Sequence, residues 1–281
     1  DDYGFGMVSR LDLSGTINTA GGNGAAIFID DSAAFGTINV MDGADINGDV
    51  ITHARLMNTI TNTAYTRPEI TFGFEADGNG AVTGTADNAF DFTFDNDIGG
   101  STSFNATFAG GTTNLNGISA FNNADVLSGA TLTTNGTFVS STLDLMSGAS
   151  TEVGMSGMLG ATTFNLMSGA TLTNNGGVMT NTFTTGAGSL IQGNGTITAN
   201  NPITMNGTSA PGNSIGTQIY NSDLIFSASS LEEIEVQPSM NPVAGTDNDL
   251  YQVNGSVMFN GGTVDVQCLP PDGAYTMGAT Y

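Results

Sequence analysis

The 281-residue chain sets 26 acidic residues against three arginines, no lysine and one histidine, for a formal charge of −23. That balance excludes nucleic acid, anionic lipid and acidic glycans as partners, because holding phosphate or sulfate groups rests on Lys and Arg. No apolar run approaches the ~18 residues that a helical membrane span requires, yet a hydrophobic content of 39% is enough to build a core, which a disordered acidic tail lacks.

Cys268 is the single cysteine, so no internal disulfide forms and stability has to come from strand pairing. No basic residue stands near it in the sequence to lower its pKa and make it a reactive thiol. The chain starts at Asp1 rather than Met and shows no signal-peptide pattern, so the expectation is a processed or excised piece of something longer.

Residues 1–67 alternate apolar and polar side chains in short bursts, as in Arg10-Leu-Asp-Leu-Ser, Ala25-Ala-Ile-Phe-Ile-Asp and Thr37-Ile-Asn-Val. Period-two alternation interrupted by Gly-Gly and Asp-Gly predicts strands joined by turns. All three arginines and the histidine fall here, and from residue 68 onward the chain has acids and no base. His53 and Arg55 resemble a catalytic pair, but no second His or any Lys exists to share acid–base work, so they are read as structural or solvated. Arg67-Pro68 reads as a corner, since Pro removes a ladder donor and pushes its predecessor toward extended geometry.

Residues 69–108 form an aromatic section, with Phe72 and Phe74, then Phe90, Phe92 and Phe94, then Phe104 and Phe108. Even spacing within each group puts its rings on one face. The near-regular recurrence of the groups is read as close to one coil of a solenoid, with the rings stacked inside. Exposed carbohydrate platforms are the functional alternative, but those favour Trp and Tyr. Two acidic clusters, Glu75-Ala-Asp-Gly-Asn-Gly and Asp91 with Asp95 and Asp97, offer oxygen ligands for calcium. Neither has the ligand spacing of a helix–loop–helix site or the nonapeptide of calcium-binding β-rolls.

An internal repeat follows: Leu127-Ser-Gly-Ala-Thr-Leu-Thr, Met146-Ser-Gly-Ala-Ser-Thr-Glu-Val, Met167-Ser-Gly-Ala-Thr-Leu-Thr and a weaker unit from Thr185. Starts at Leu127, Met146, Met167 and Thr185 give a period near twenty. That period, short strands and no helical pattern predict an all-β, right-handed parallel β-helix in which like residues form ladders. About fourteen coils rising about 4.8 Å each give a rod on the order of 65 Å long. The expected divisions are N-terminal coils over 1–68, a repetitive shaft over 69–208 and a C-terminal capping region over 209–281.

That last region carries a family resemblance. Gly188-Ser-Leu-Ile-Gln-Gly-Asn-Gly-Thr-Ile-Thr is followed by Pro211-Gly-Asn-Ser-Ile-Gly-Thr, Leu231-Glu-Glu-Ile-Glu-Val, Asp249-Leu-Tyr-Gln-Val-Asn-Gly and Gly261-Gly-Thr-Val-Asp-Val. This order resembles the C-terminal end of the passenger β-helix of bacterial autotransporters, the type V secretion family, over about residues 188–281. The resemblance implies a surface-exposed or secreted location on a Gram-negative cell and a folding and capping role for the last coils. It also implies a membrane β-barrel downstream, and nothing in this sequence resembles barrel strands. Any membrane association would run through that missing domain, and an upstream functional domain of the kind passengers carry would lie before Asp1.

Gly212-Asn-Ser-Ile-Gly216 satisfies the Gly-x-Ser-x-Gly pattern of a hydrolase nucleophile elbow. That motif needs a strand, a sharp turn and a helix, with the acid and His following the Ser. The single His precedes Ser214, so Ser214 is read as a turn residue. No catalytic, cofactor-binding or metal-binding residue is assigned, and no cofactor is expected. The leading expectation is a non-catalytic stalk or adhesin that meets a ligand on a host or neighbouring cell. The second is a filament or surface-layer subunit made by end-to-end stacking, since an end coil presents an unpaired strand edge. The third is a polysaccharide-acting β-helix enzyme using two carboxylates.

Overall fold

The computed structural model describes residues 7–19, 24–31, 33–54, 56–58, 63–64, 66–239 and 241–269, which fold as β-strands and turns with no helix among them. The strands pair mostly in parallel and in register at regular intervals along the chain, an arrangement consistent with a solenoid. Two compact units are present, residues 1–143 and 144–281.

In the first unit the strands Met7–Leu13, Ala34–Val40, Glu69–Phe72, Phe104–Phe108 and Ile118–Val126 follow one another in parallel. Their register brings Leu13, Val40, Phe72, Phe108 and Val126 into one column of inward side chains, all buried. Alternation explains it: every second residue of a strand meets the core, and these five are apolar residues at inward positions.

The spacing of the aromatic groups does not equal a coil. Phe72 and Phe108 are register partners 36 residues apart, and between them in sequence Phe92 and Phe94 stand on a different sheet, where Asp91–Phe94 pairs with Thr112–Leu115, with Phe90 just before that strand. The interval between successive aromatic groups is therefore the step from one wall to the facing wall. The coil is long because Phe74–Ala76 and Val82–Ala86 form an antiparallel hairpin within it. Phe74 starts that hairpin and is only half-buried, so the expectation that it joins the interior stack is corrected, whereas Phe72, Phe90, Phe92, Phe94, Phe104 and Phe108 are buried. Asp77 tightens the hairpin turn, its Oδ1 accepting from the amides of Asn79 at 2.8 Å and Ala81 at 2.9 Å.

The second unit shows the repeat at work. In each repeat a backbone turn closes, from Ala149 N to Met146 O at 2.9 Å, Ala170 N to Met167 O at 3.0 Å and Ser189 N to Gly186 O at 3.1 Å. The third residue of each turn is Gly148, Gly169 or Gly188, with φ of 79°, 76° and 76°, a region in which side chains are strained. The last turn starts at Gly186, one position after the Thr185 expected from sequence. The turns also stack: Gly148 N donates to Gly169 O at 3.1 Å and Gly169 N to Gly188 O at 3.2 Å.

Polar residues on the outside of this unit form ladders of their own. Thr184 Oγ1 donates to Asn165 Oδ1 and Asn165 Nδ2 to Asp144 Oδ1, each at 2.6 Å. Asn254 Nδ2 donates to Asn221 Oδ1 at 2.8 Å, and Asn221 Nδ2 to Thr198 Oγ1 at 3.1 Å. Inside, Ser150–Val153, Thr171–Asn174, Leu190–Gly193, Thr208–Pro211, Leu231–Val236 and Thr263–Cys268 form one wall of successive strands.

Candidate functional site

One column of that wall changes character along its length. Leu172, Ile191, Ser209, Glu232 and Val264 are successive register partners, so an apolar stack turns polar at Ser209 and Glu232. The strand Leu231–Val236 alternates so that Glu232 shares its face with Ile234 and Val236, while Glu233 and Glu235 point the other way. Glu232 is thereby 4% exposed.

The strand Thr217–Asn221 contributes Gln218 and Tyr220, and its register partner Leu250–Val253 contributes Tyr251. Gln218 Oε1 accepts from Tyr220 Oη at 2.7 Å and from Ser209 Oγ at 3.1 Å, and the two hydroxyls lie 3.2 Å apart. Tyr251 Oη is 2.7 Å from the Ser209 carbonyl oxygen and 3.1 Å from Glu232 Oε2. Two buried atoms of the cluster, Glu232 Oε1 and Gln218 Nε2, have no hydrogen-bond partner. Burial pushes the Glu232 carboxyl up to about 7, against the lowering effect of contacts with Ser230 and Tyr251. Burial likewise holds both tyrosine hydroxyls above their ordinary range.

Glu232 and Tyr251 also line a largely apolar cavity of about 430 Å³ with Phe226, Ile234, Val257 and Phe259. The strands Val257–Phe259 and Thr263–Cys268 border it, and their apolar side chains are uncovered: Phe259 is 67% exposed, whereas its register partner Phe226 is 3% exposed.

On the outer side, Ser214, Glu233, Glu235, Asp249 and Gln267 line a smaller groove of about 170 Å³. Asp249 Oδ1 accepts from Gly216 N and its Oδ2 from Glu235 N, both at 2.8 Å. Its carboxyl is nonetheless raised, first by burial and further by the charge of Glu235. Ser214 is exposed on the connection between the strands Thr208–Pro211 and Thr217–Asn221, so a strand follows where a nucleophile elbow needs a helix. Acids surround it, and no histidine lines the groove.

His53 belongs to the first unit. Its Nδ1 is 2.6 Å from Ser101 Oγ and its ring centroid 5.4 Å from that of Phe28; Arg55 lies outside the described residues. The two acidic clusters of the sequence use their oxygens within the fold. Besides Asp77 in its turn, Asp95 Oδ1 accepts from Asn116 Nδ2 at 2.6 Å, Asp97 Oδ1 from Ile118 N at 2.7 Å and Asp91 Oδ1 from Asn114 Nδ2 at 3.5 Å. Among the described residues no three His, Cys, Asp or Glu side chains group closely enough to hold a metal ion. Six of the seven phenylalanines of the aromatic section are buried and present no ring to a sugar. Cys268 is exposed and unpaired, on the same alternation as Val264 and Val266.

No protein-family profile, curated protein or solved structure matches the chain.

Sequence reasoning missed the cluster around Glu232. The signal was present in Leu231-Glu-Glu-Ile-Glu-Val, where period two puts one of three glutamates on the face of Ile234 and Val236. Its meeting with Gln218, Tyr220 and Tyr251 depends on register across coils of unequal length, which the local pattern does not contain.

Proposed function

We propose that the chain is a structural, non-catalytic passenger of type V secretion: a right-handed parallel β-helix exposed on, or released from, a Gram-negative surface, with residues 209–281 as its folding and capping end. The observation that supports this most is where the chemistry-bearing side chains go. Asp, Asn, Ser and Thr are spent on ladders between coils, as in Thr184–Asn165–Asp144, and on turns, as at Asp77. Repetition of that kind serves length and stiffness rather than a single reaction centre. In this reading the function is spacing or contact, and its ligand lies on a host or neighbouring cell. The test is protease treatment of intact producing cells. A surface passenger is shaved off without lysis; protection until the cells are broken would overturn the proposal.

A second reading, assembly of copies end to end, has its own support in the uncovered side chains Val257, Phe259, Val264 and Val266, which are 45%, 67%, 58% and 55% exposed. Their strand partners Leu224, Phe226 and Glu232 are buried by the next coil, so another coil is the shape that fits over them. Ordered fibres under the electron microscope favour this reading, and monomers that persist at high concentration exclude it. The variant Phe259→Asp would dissolve such fibres while leaving a folded monomer.

A further inference from the structure

We propose that Glu232 is a proton-controlled latch: its neutral carboxylic acid closes the seam between Thr208–Pro211 and Leu231–Val236, and its ionisation releases the strands beyond that seam.

Tyr251 has one hydroxyl hydrogen and two oxygen neighbours, the Ser209 carbonyl at 2.7 Å and Glu232 Oε2 at 3.1 Å. The carbonyl can only accept, so the tyrosine hydrogen goes there. The contact with Glu232 is then a hydrogen bond only if the glutamic acid bears its own proton and donates it to the Tyr251 oxygen. Glu232 Oε1 has no partner and the side chain is 4% exposed, which a neutral acid bears at far lower cost than an anion.

Among the described residues no cation acts on Glu232. The chain has no lysine, and its three arginines all precede residue 68. Among the described residues the titratable groups near Glu232 are Tyr251 and Tyr220 across the core, Glu233 and Glu235 on the opposite face of its own strand, Asp249 beside Glu235, and Asp265 and Cys268 on the following strand. None of them is a cation, and the carboxylates among them favour the protonated form; the contacts of Tyr251 and Ser230 act the other way but are outweighed by burial.

The seam is also narrower than the next one along the wall. Thr208–Pro211 and Leu231–Val236 share two register pairs, Thr208 with Leu231 and Ser209 with Glu232, whereas Leu231–Val236 and Thr263–Cys268 share six. When Glu232 gives its proton to a solvent base, the new carboxylate competes with the Ser209 carbonyl for the single Tyr251 hydrogen. The Tyr251–Ser209 tie weakens at a seam of only two pairs, and Leu231–Val236 leaves together with Thr263–Cys268.

The sign follows from the raised folded-state value. Burial lifts this carboxyl from an ordinary 4.5 to about 7. Its contribution is fully present on the acid side and is lost as pH rises across that interval, because the native state binds more protons than the unfolded one.

The test is amide hydrogen exchange on the full chain at about pH 6 and about pH 8, corrected for intrinsic exchange, with the strand Thr171–Asn174 as internal reference. Amides of Leu231–Val236 and Thr263–Cys268 should lose about tenfold or more in protection at the higher pH, one factor of ten corresponding to one pKa unit of coupling. Glu232→Gln, a neutral isostere that still donates and accepts, should abolish the difference. Infrared spectra supply a second readout that needs no variant to fold. Native protein at the lower pH should show the carbonyl stretch of a protonated carboxylic acid, gone at the higher pH. Equal protection at both pH values, or no such band at the lower one, would overturn the latch.

Discussion

Phe72 and Phe108, 36 residues apart, stack with centroids 5.1 Å apart and ring planes 7° from parallel. They are register partners on adjacent strands and both are 1% exposed, so the ring of Phe108 cannot be lost without a void. Phe108→Ala should cost about 3–5 kcal/mol, the range for deleting a fully buried phenylalanine. Phe74→Ala, in the half-buried hairpin, should cost clearly less. Denaturant unfolding of the two variants checks the order, and equal losses would mean that the column is not the core of this unit.

Gly193 and Gly84 both have positive φ, 107° and 80°, but their surroundings differ. A Cβ at Gly193 would meet the Asn174 carbonyl oxygen at 2.2 Å, whereas a Cβ at Gly84 has nothing within 4 Å. Gly84→Ala should therefore show only the backbone strain of about 1–2 kcal/mol, and Gly193→Ala should exceed it or fail to fold. Thermal melting separates the two.

Tyr220 is fully buried and its hydroxyl donates to Gln218 Oε1. Gln218 Nε2 is already without a partner, so Tyr220→Phe takes a hydrogen bond from a side chain that cannot reach water. The expected loss is about 1–3 kcal/mol, measured by chemical denaturation. A neutral result would mean that water enters the cluster.

Asp247 responds to pH in the sense opposite to Glu232. Its carboxyl is held below the usual range by the Gln237 side chain and the Val243 amide, with Oδ2 accepting from Val243 N at 2.8 Å. A depressed folded value contributes order above the ordinary carboxylate range and loses it as pH falls. The Val243 amide should exchange faster on acidification in the native chain, and Asp247→Asn should remove that dependence.

Ser214 is exposed in a groove whose titratable side chains are all acids. Ser214→Ala should change stability by no more than about 0.5 kcal/mol, as surface substitutions usually do. Any ester or glycan turnover that vanished with this substitution would reopen a catalytic reading.

The repeat turns were legible in sequence because glycine at a fixed offset has one strong conformational reason to be there, and Gly148, Gly169 and Gly188 share it. Interior phenylalanines were legible through period-two spacing. The coil length around them was not: the hairpin at Phe74 and the long step from Glu232 to Val264 insert residues that change register without disturbing local alternation. The fourth turn slipped by one residue because Thr185-Gly-Ala-Gly lacks the Ser-Gly-Ala signature. Glu232 escaped notice for the same physical reason, since a glutamate among glutamates reveals its burial only through partners on other strands, at Gln218, Ser209 and Tyr251.

The most direct measurement of the coil-on-coil arrangement is nuclear Overhauser contact between backbone protons of register partners in the second unit, Leu172 with Ile191 and Ile191 with Ser209. In-register parallel stacking predicts both contacts, together with slow amide exchange along Thr171–Asn174 and Leu190–Gly193. Contacts that pair these strands antiparallel, or that join residues three and four apart as a helix does, would contradict it.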